Sequence, residues 1–280
     1  MEKALIDRVP PRRLSAVLFA VALLALAPWT LVSSAAAESD PPRPSIGLAL
    51  GSGGAGGLAH IAMLEVFETL SLQPAAISGS SIGAENGASW TDLLDLGNDS
   101  ILDADGFLEF VGERIEAREF SELVIPLKIV ATDYWTGETV TLEEGDLFEA
   151  IKASMAVPGL FAPVEAGDRL LIDGGVSNPL PWDVLGDHDV VVAIDVTGVR
   201  EPSPEGAPGI TELLFKSFEI MQQSLIGQMR AATPPDLYLK PALEDIRLLH
   251  FDRVDEVLSQ AQPAAKELHD RLQELISSSR

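Results

Sequence analysis

The chain has 280 residues, of which 46% are hydrophobic, and a formal net charge of −24 at pH 7. This length allows one substantial hydrophobic core, or at most two small ones. The strong negative charge opposes binding to nucleic acid and attraction to anionic lipid surfaces, and the lack of cysteine excludes disulfides and a cysteine-linked lipid anchor.

The N-terminal segment, residues 1–37, is predicted to be a secretory signal peptide. A basic stretch precedes the apolar residues 14–27, and three alanines at 35–37 offer a cleavage site. The alternative is an uncleaved anchor that holds the protein at a membrane, although the apolar run is short for a span of about 20 residues. We therefore expect an exported protein, periplasmic or secreted, with a linker at 38–44 and one folded domain at 45–280.

The first elements of this domain alternate between strand and helix. Residues 46–50 are an apolar run of strand length, and apolar residues at helical spacing predict a helix over 54–70. Residues 75–78 predict a second strand, and small residues suited to a tightly packed helix follow Ser81. A βαβα order of this kind implies a parallel sheet.

The rest of the chain predicts further strands and helices without an internal repeat. Strands are expected at 127–132, 139–142, 161–165, 169–172, 190–194 and 237–239, and helices at 147–155, 210–230 and 254–276. The predicted fold class is therefore a single α/β domain with a mainly parallel central sheet flanked by helices.

Ser81 is the candidate nucleophile, because Gly79-Ser80-Ser81-Ile82-Gly83 reads G-x-S-x-G between a predicted strand and a predicted helix. This motif places a serine on a sharp turn with its hydroxyl accessible, and a nearby base must then accept the hydroxyl proton. Alone the motif is weak, since a turn rich in glycine and serine also occurs for purely structural reasons.

The glycine-rich loop after the first strand, residues 51–57, can direct several backbone N–H groups at one oxygen, as an oxyanion hole requires. Nucleotide binding is the competing interpretation, because Gly51, Gly53 and Gly56 match G-x-G-x-x-G. A dinucleotide site needs an acidic residue after the second strand, where this chain has serines, and a phosphate loop needs a lysine after Gly57.

Asp173 follows a predicted strand and precedes two glycines, a position that suits either a catalytic carboxylate or an ordinary turn. Three of the four histidines, His188, His250 and His269, come after it, so a Ser–Asp–His triad stays open as an alternative. The fourth, His60, falls in the first predicted helix.

Five segments in family order resemble the bacterial patatin-like phospholipases over residues from about 45 to the C-terminal helix. They are the glycine loop with its strand and helix start (47–61), Gly79-Ser80-Ser81-Ile82-Gly83, Ala131-Thr132-Asp133, Ala153-Ser154-Met155-Ala156-Val157-Pro158-Gly159, and Leu171-Ile172-Asp173-Gly174-Gly175-Val176-Ser177-Asn178-Pro179.

The resemblance implies a Ser–Asp dyad in which Ser81 is the nucleophile and Asp173 the general base, without a metal or other cofactor. It implies an oxyanion hole built from the backbone N–H groups of Gly53, Gly54 and Ala55. The supporting glycines of the motifs would be Gly51, Gly56, Gly57, Gly79, Gly83, Gly174 and Gly175. The implied substrates are acyl esters of phospholipids, lysophospholipids and neutral lipids.

Two departures from the family pattern motivate an alternative to the hydrolase, a catalytically impaired protein that binds lipid or a partner on the same fold. The family usually has Arg or Lys where this chain has Gly56, and the stretch between Ser81 and Ala131 is shorter than usual. The amphipathic residues 210–230 are expected either to pack on the sheet or to make transient contact with a lipid surface.

Overall fold

The computed structural model describes residues 44–88, 117–198 and 209–278, which all belong to one compact unit, Asp40–Arg280. The predicted signal peptide at 1–37 and all but the last residue of the predicted linker lie outside the described residues. Most of the short stretch between Ser81 and Ala131 also lies outside the described residues. The same holds for residues 199–208, which precede the amphipathic residues 210–230.

In the part of the chain that the structure describes, eight strands form one mixed sheet in the order β5-β6-β3-β2-β1-β7-β8, with β4 paired to β3 off this path. The strands are β1 (Ile46–Leu50), β2 (Ala76–Ser80), β3 (Leu127–Asp133), β4 (Thr139–Leu142), β5 (Val164–Ala166), β6 (Arg169–Asp173), β7 (Val190–Ile194) and β8 (Leu237–Leu239). Five of them, β3, β2, β1, β7 and β8, run parallel, whereas β4, β5 and β6 pair antiparallel.

Within the described residues, five α-helices cover the two faces of the sheet, which confirms an α/β fold with a central sheet between helices. They are α1 (Ala59–Thr69), α2 (Ile82–Ala88), α3 (Leu147–Ser154), α4 (Ile210–Ala232) and α5 (Val254–Ser278). The larger core lies under α1, α2, α3 and α5, and the smaller one lies under α4 and the turn Trp182–Val184. A third, minor cluster joins β3, β4, β5 and β6 to α3.

Alternation along the strands explains how the sheet supplies both cores. Successive side chains of a strand point to opposite faces. Leu48 and Leu50 of β1 enter the larger core, while Ala49 between them enters the smaller one, and all three are fully buried. A strand that is buried on both faces reads as the continuous apolar run seen in the sequence.

The predicted helix over 54–70 is two elements in the structure. A 3₁₀ turn, Gly54–Leu58, precedes α1, and Gly54 has a φ of 55°, in the left-handed region that glycine tolerates. The glycine-rich residues therefore form a tight turn and the regular helix starts only at Ala59. The second strand, predicted to end at residue 78, extends to Ser80.

The order of the strands reverses at β1, which lies between β2 and β7. The chain proceeds from β1 to β2 and β3 on one side, and places β7 and β8 on the other. Ligands of open parallel sheets bind beyond the carboxyl ends of the strands at such a switch point. The glycine loop leaves β1 at this point. Within the described ranges, no helix is both long enough and apolar enough to cross a membrane.

Candidate active site

Strands β2 and β6 end against successive residues of β3. Ser80, the last residue of β2, pairs with Val130, and Asp173, the last residue of β6, pairs with Ala131. Strand β4 pairs with the same two residues of β3 and so occupies one edge of that strand. Strands β2 and β6 must therefore both lie along the other edge of β3. The two strand ends therefore meet, and this register brings Ser81 next to Asp173.

Ser81 lies on a sharp turn between β2 and α2. Its φ is 57°, a left-handed conformation that a residue with a side chain adopts at a cost, and such strain is concentrated at functional sites. The flanking glycines allow the tight turn, because a Cβ on Gly79 would lie 2.3 Å from the Gly83 oxygen and one on Gly83 would lie 2.1 Å from the Leu50 oxygen. This is the geometry expected of a nucleophile in a G-x-S-x-G motif.

Ser154 holds the backbone of this turn. Its hydroxyl accepts a hydrogen bond of 2.8 Å from the Ser81 N–H and donates one of 2.5 Å to the carbonyl of Val130. Ser154 is fully buried at the end of α3. Two residues further on, the Ala156 carbonyl accepts a hydrogen bond of 3.0 Å from the Asp173 N–H. The end of α3 and the residues just after it therefore contact both members of the predicted dyad.

Asp173 is a fully buried carboxyl group. Its Oδ1 accepts a hydrogen bond of 2.7 Å from the Gly175 N–H. Burial raises the pKa of Asp173 to about 7, because the charged form loses its hydration, and the nearby Ser81 hydroxyl and the hydrogen bond from Gly175 oppose this rise only in part. A carboxylate with a pKa near neutrality is suited to act as a general base.

The second oxygen of Asp173, Oδ2, is the one left for Ser81. It is buried and makes no hydrogen bond of standard geometry, yet the Ser81 hydroxyl is near enough to lower the pKa of the carboxyl group. Catalytic hydrogen bonds are often long in an empty site and shorten when substrate binds. The arrangement can accept a proton from Ser81 without a third side chain.

The glycine loop offers two free backbone donors near this pair. The N–H groups of Gly53 and Gly54 donate to none of the described residues, whereas the Ala55 N–H donates a 2.8 Å hydrogen bond to the Leu248 carbonyl. Ala55 was expected as a third oxyanion donor, and its N–H is already engaged in this structure. Gly53 and Gly54 are the loop residues that fit the role.

Gly56, where relatives were expected to carry a cation, lies against the backbone. A Cβ there would come within 2.5 Å of the Val196 carbonyl oxygen, so this loop leaves no room for a side chain. The loop is braced instead from α2, since the Asn86 amide donates to the Gly57 carbonyl at 3.0 Å and to Nδ1 of His60 at 2.8 Å.

His60 acts in this brace as a neutral ring. It is fully buried, and burial lowers its pKa to about 3 despite the opposing effects of the Ile194 carbonyl and the Asp195 charge. Because Nδ1 accepts from Asn86, the ring proton is on Nε2. His60 therefore positions the loop and has no free nitrogen to serve as a base.

The alternative of a Ser–Asp–His triad finds no support in the geometry. All four histidines are described, and none makes a hydrogen bond with Ser81 or Asp173. The ring of His188 lies against Gly47 at the amino end of β1, away from the strand ends that carry the site. Among the described residues, the structure thus brings a serine and an aspartate together without a histidine.

Gln222 of α4 contacts both the glycine loop and the turn that follows Asp173. Its Nε2 donates a 2.9 Å hydrogen bond to the Ser52 hydroxyl, and this nitrogen lies 2.1 Å from where a Cβ on Gly175 would stand. Gln222 is only 4% exposed. It therefore packs between the glycine loop and the turn that follows Asp173.

The sequence signals did not single out Ser154, Asn86 or Gln222 as site residues. Ser154 belongs to one of the motifs quoted above, but nothing in that motif shows which atom it contacts. The available signal for Gln222 is its position in an amphipathic helix, where an amide on the buried face needs a hydrogen-bond partner. Its partner, Ser52, is far away in the sequence, so only the fold reveals the contact.

The sequence and the fold are similar to those of known proteins. The family profile described as "Patatin-like phospholipase" matches residues 86–185, a stretch that includes Asp173. An uncharacterized NTE family protein of Mycobacterium tuberculosis is 34% identical over 193 residues, covering 60% of this chain and 54% of that protein. The patatin-like phospholipase domain-containing protein 7 of Mus musculus is 26% identical over 266 residues, covering 76% of this chain and 20% of that protein.

The chain spans about half the length of the mycobacterial relatives that it matches at 34% identity. Among solved structures, VipD from Legionella pneumophila is similar, with a TM-score of 0.50 and 11% sequence identity. The match covers 82% of this chain and 67% of that protein. At this identity, the likeness concerns the fold alone.

Proposed function

The chain belongs to the patatin-like phospholipase family, and from this membership we propose that it hydrolyses fatty-acyl esters of lipids through a serine acyl-enzyme. The observation that carries the proposal is the pair formed by Ser81 on its strained turn and the buried carboxyl group of Asp173, whose pKa lies near 7. These two groups supply a nucleophile and a base at one point.

In the proposed reaction, Oδ2 of Asp173 accepts the hydroxyl proton as Ser81 Oγ attacks the ester carbonyl carbon. The N–H groups of Gly53 and Gly54 stabilise the negative oxygen of the tetrahedral intermediate. The proton then passes from Asp173 to the departing alcohol. In the second half, Asp173 accepts a proton from water, the resulting hydroxide attacks the acyl-enzyme, and the proton returns to Ser81 as the fatty acid leaves.

A lipid surface is the proposed source of substrate, and α4 is the proposed contact. Five apolar side chains of α4, between 51% and 78% exposed, recur at spacings that place them along one face of the helix. They are Ile210, Leu213, Leu214, Ile220 and Met221. With a net charge of −24, the protein is repelled by anionic lipid, so we propose contact with zwitterionic or neutral lipid.

Ester hydrolysis by the purified protein tests the proposed reaction. Ser81→Ala should abolish turnover of short and long acyl esters and of lysophospholipid, and should abolish labelling by a fluorophosphonate probe. The matched control is Ser80→Ala, since the Ser80 hydroxyl is buried next to the nucleophile and has no hydrogen-bond partner among the described residues. Ser80→Ala should retain activity.

A folded wild-type protein that neither turns over esters nor labels at Ser81 would reject the enzyme. That outcome would favour the alternative function, a binding protein on the same fold. This alternative is motivated by Gly56, which stands where the family usually has a cation. Turnover that survives Ser81→Ala would instead reject Ser81 as the nucleophile.

Vesicle binding tests the lipid contact separately. Replacing both Leu213 and Leu214 by serine should weaken sedimentation with phosphatidylcholine vesicles. Val124→Ser is the matched control, because Val124 is 84% exposed in the segment that precedes β3 rather than on α4. Equal sedimentation of the double variant and the wild type would remove α4 from the proposal.

A further inference from the structure

A second buried carboxylate lies just beyond the carboxyl end of β7, apart from the pair formed by Ser81 and Asp173. This residue, Asp195, is only 1% exposed, and its two carboxylate oxygens accept four hydrogen bonds. A carboxylate in a protein interior has lost its hydration, so it requires donors of this kind around it. The proposed reaction gives this carboxylate no step.

The four donors come from two lengths of chain. The Thr197 N–H and hydroxyl donate to Oδ1 of Asp195, at 2.9 and 2.5 Å. The Tyr238 hydroxyl donates to Oδ2 at 2.5 Å, and burial together with the Asp195 charge raises the pKa of Tyr238, so that it keeps its proton. The Lys240 ammonium donates to Oδ2 at 3.1 Å and to the Thr197 hydroxyl at 2.8 Å. Lys240 therefore ties the end of β8 to both ends of the segment 195–197.

Val196, between the two residues that Lys240 contacts, supports the glycine loop. It is fully buried, and its carbonyl oxygen lies 2.7 Å from where a Cβ on Gly53 would stand and 2.5 Å from where one on Gly56 would stand. The backbone of the loop therefore packs directly on this carbonyl group, and a close-packed interior transmits a displacement from one group to the next. A shift of Val196 would move Gly53, whose N–H is a proposed oxyanion donor.

Stability alone is a weak reason for the ion pair between Lys240 and Asp195. Taking two charges out of water offsets much of their mutual attraction, so a buried pair often adds little to the free energy of unfolding. The Asp195 side chain is 1% exposed and the Lys240 side chain 29%, so this cost falls mainly on the carboxylate. What the hydrogen bonds do provide is a fixed position for the backbone at 195–197.

We propose that Lys240 is a positioning residue for the oxyanion hole, which acts through Asp195 and Val196 to fix the Gly53 N–H relative to Ser81. The inference rests on the proposed function, since it concerns the same reaction. The negative oxygen exists only in the tetrahedral state, so a misplaced donor raises the barrier to reaction and leaves ester binding nearly unchanged.

The test is Lys240→Met, which removes the ammonium group and keeps an unbranched side chain. With a soluble ester, kcat should fall about tenfold to a hundredfold at a KM within about twofold, because a small misplacement of a reacting group can cost about 10²-fold in rate. Inhibition by a trifluoromethyl ketone, whose adduct with Ser81 carries the oxyanion, should weaken by a similar factor. Lys240→Arg restores a cation and should recover most of both losses.

Lys128→Met is the matched control. The Lys128 side chain is 31% exposed, pairs with Glu143 at 3.6 Å and donates to the Val184 carbonyl at 2.9 Å. It resembles Lys240 in burial and in bonding, but it lies near the start of β3 and does not contact the segment 195–197 or the glycine loop. Lys128→Met should keep the kcat and the ketone affinity of the wild type.

The outcomes separate this inference from the proposed function. Serine-dependent hydrolysis with equal kcat in the two methionine variants would overturn the role of Lys240 and leave the reaction intact. A fall in kcat that Lys240→Arg does not reverse, or that weaker ketone inhibition does not accompany, would also overturn it. If Lys240→Met does not fold, Tyr238→Phe decides, with the exposed Tyr134→Phe as its control. Loss of its hydrogen bond should lower kcat about threefold or more, and an equal kcat would overturn the inference.

If the wild type hydrolyses nothing, amide hydrogen exchange in the glycine loop decides without catalysis. The Ala55 and Gly56 N–H groups donate to the carbonyls of Leu248 and Gly53, so their exchange reports how firmly the loop is held. Faster exchange at these two amides in Lys240→Met than in Lys128→Met, with equal exchange in β6, would support the positioning role. Equal exchange at the two amides would overturn it.

Discussion

The backbone N–H of Ser81 donates to the side-chain hydroxyl of Ser154, over 2.8 Å. Ser154 in turn donates to Val130 of β3, the strand against which β6 and Asp173 are paired. The strained turn that carries the candidate nucleophile is therefore tied, through one buried hydroxyl, to the strand that positions the candidate base.

Ser154→Ala should lower kcat while changing KM little, because it removes a positioning contact and no contact with substrate. It leaves the Ser81 N–H and the Val130 carbonyl without their partner, and an unsatisfied buried group costs about 1–3 kcal/mol. Steady-state kinetics with a soluble ester, beside a thermal melt, measure both effects. Ser121→Ala, on an exposed serine, is the control, and a kcat equal to that control would contradict the role of Ser154.

Activity should depend on pH through Asp173. The carboxylate form is the proposed base, and the pKa of this group is about 7, so kcat/KM should rise roughly tenfold per pH unit below neutrality and level off above about pH 8. Initial rates with an uncharged ester between pH 5 and 9 measure this dependence. A profile that is flat from pH 5 upward would show that Asp173 is ionised well below 7 and that burial raises its pKa less than the structure indicates.

Asp173→Asn should abolish turnover and yet stabilise the fold at alkaline pH. The pKa of Asp173 is raised from 3.8 in the unfolded chain to about 7 in the folded one, so the folded state binds more protons between these values. The free energy of unfolding of the wild type therefore falls as pH rises through this window. The amide of the variant cannot ionise, so its free energy of unfolding does not fall in this pH window.

Thermal melts of the wild type and Asp173→Asn at pH 5 and pH 8 measure the difference. The melting temperature of the variant, relative to the wild type, should be higher at pH 8 than at pH 5. A difference that is the same at both pH values would mean that the ionisation of Asp173 does not affect stability.

Gly56→Arg, which restores the cation usual in the family, should destabilise this protein and fail to raise its activity. The new Cβ would meet the Val196 carbonyl oxygen at 2.5 Å, and overpacking of this kind typically costs about 1–3 kcal/mol. Chemical denaturation measures the loss. Gly227→Arg is the control, because a side chain at that helical glycine meets nothing within 4 Å. A gain in kcat for Gly56→Arg would show that the loop lacks its brace.

The regular elements could be predicted because their signals are local. The apolar run of β1 and the helical spacing of α4 and α5 depend on residues near one another in sequence, and their predicted positions agree with the structure to within about two residues. The hairpin of β5 and β6 was predicted around its turn for the same reason, and β6 extends one residue further, to Asp173.

The contacts that make the site could not be predicted in this way. The start of α1 was placed too early, because glycines that continue a helical pattern instead close a 3₁₀ turn against Val196 and Leu248. The expected Ala55 donor is engaged for the same reason, since Leu248 comes from a loop distant in sequence. Such pairings depend on the register of the sheet, which no local pattern contains.

Residues 89–116 separate the two candidate catalytic residues along the chain. The two residues are brought together because β2 and β6 pair with the same edge of β3. A polypeptide cut within that stretch would carry its nucleophile and its base on different fragments. Only correct reassociation of the sheet would reunite them, so recovered ester hydrolysis would report that reassociation directly. The reaction centre is in this sense a built-in reporter of fragment complementation.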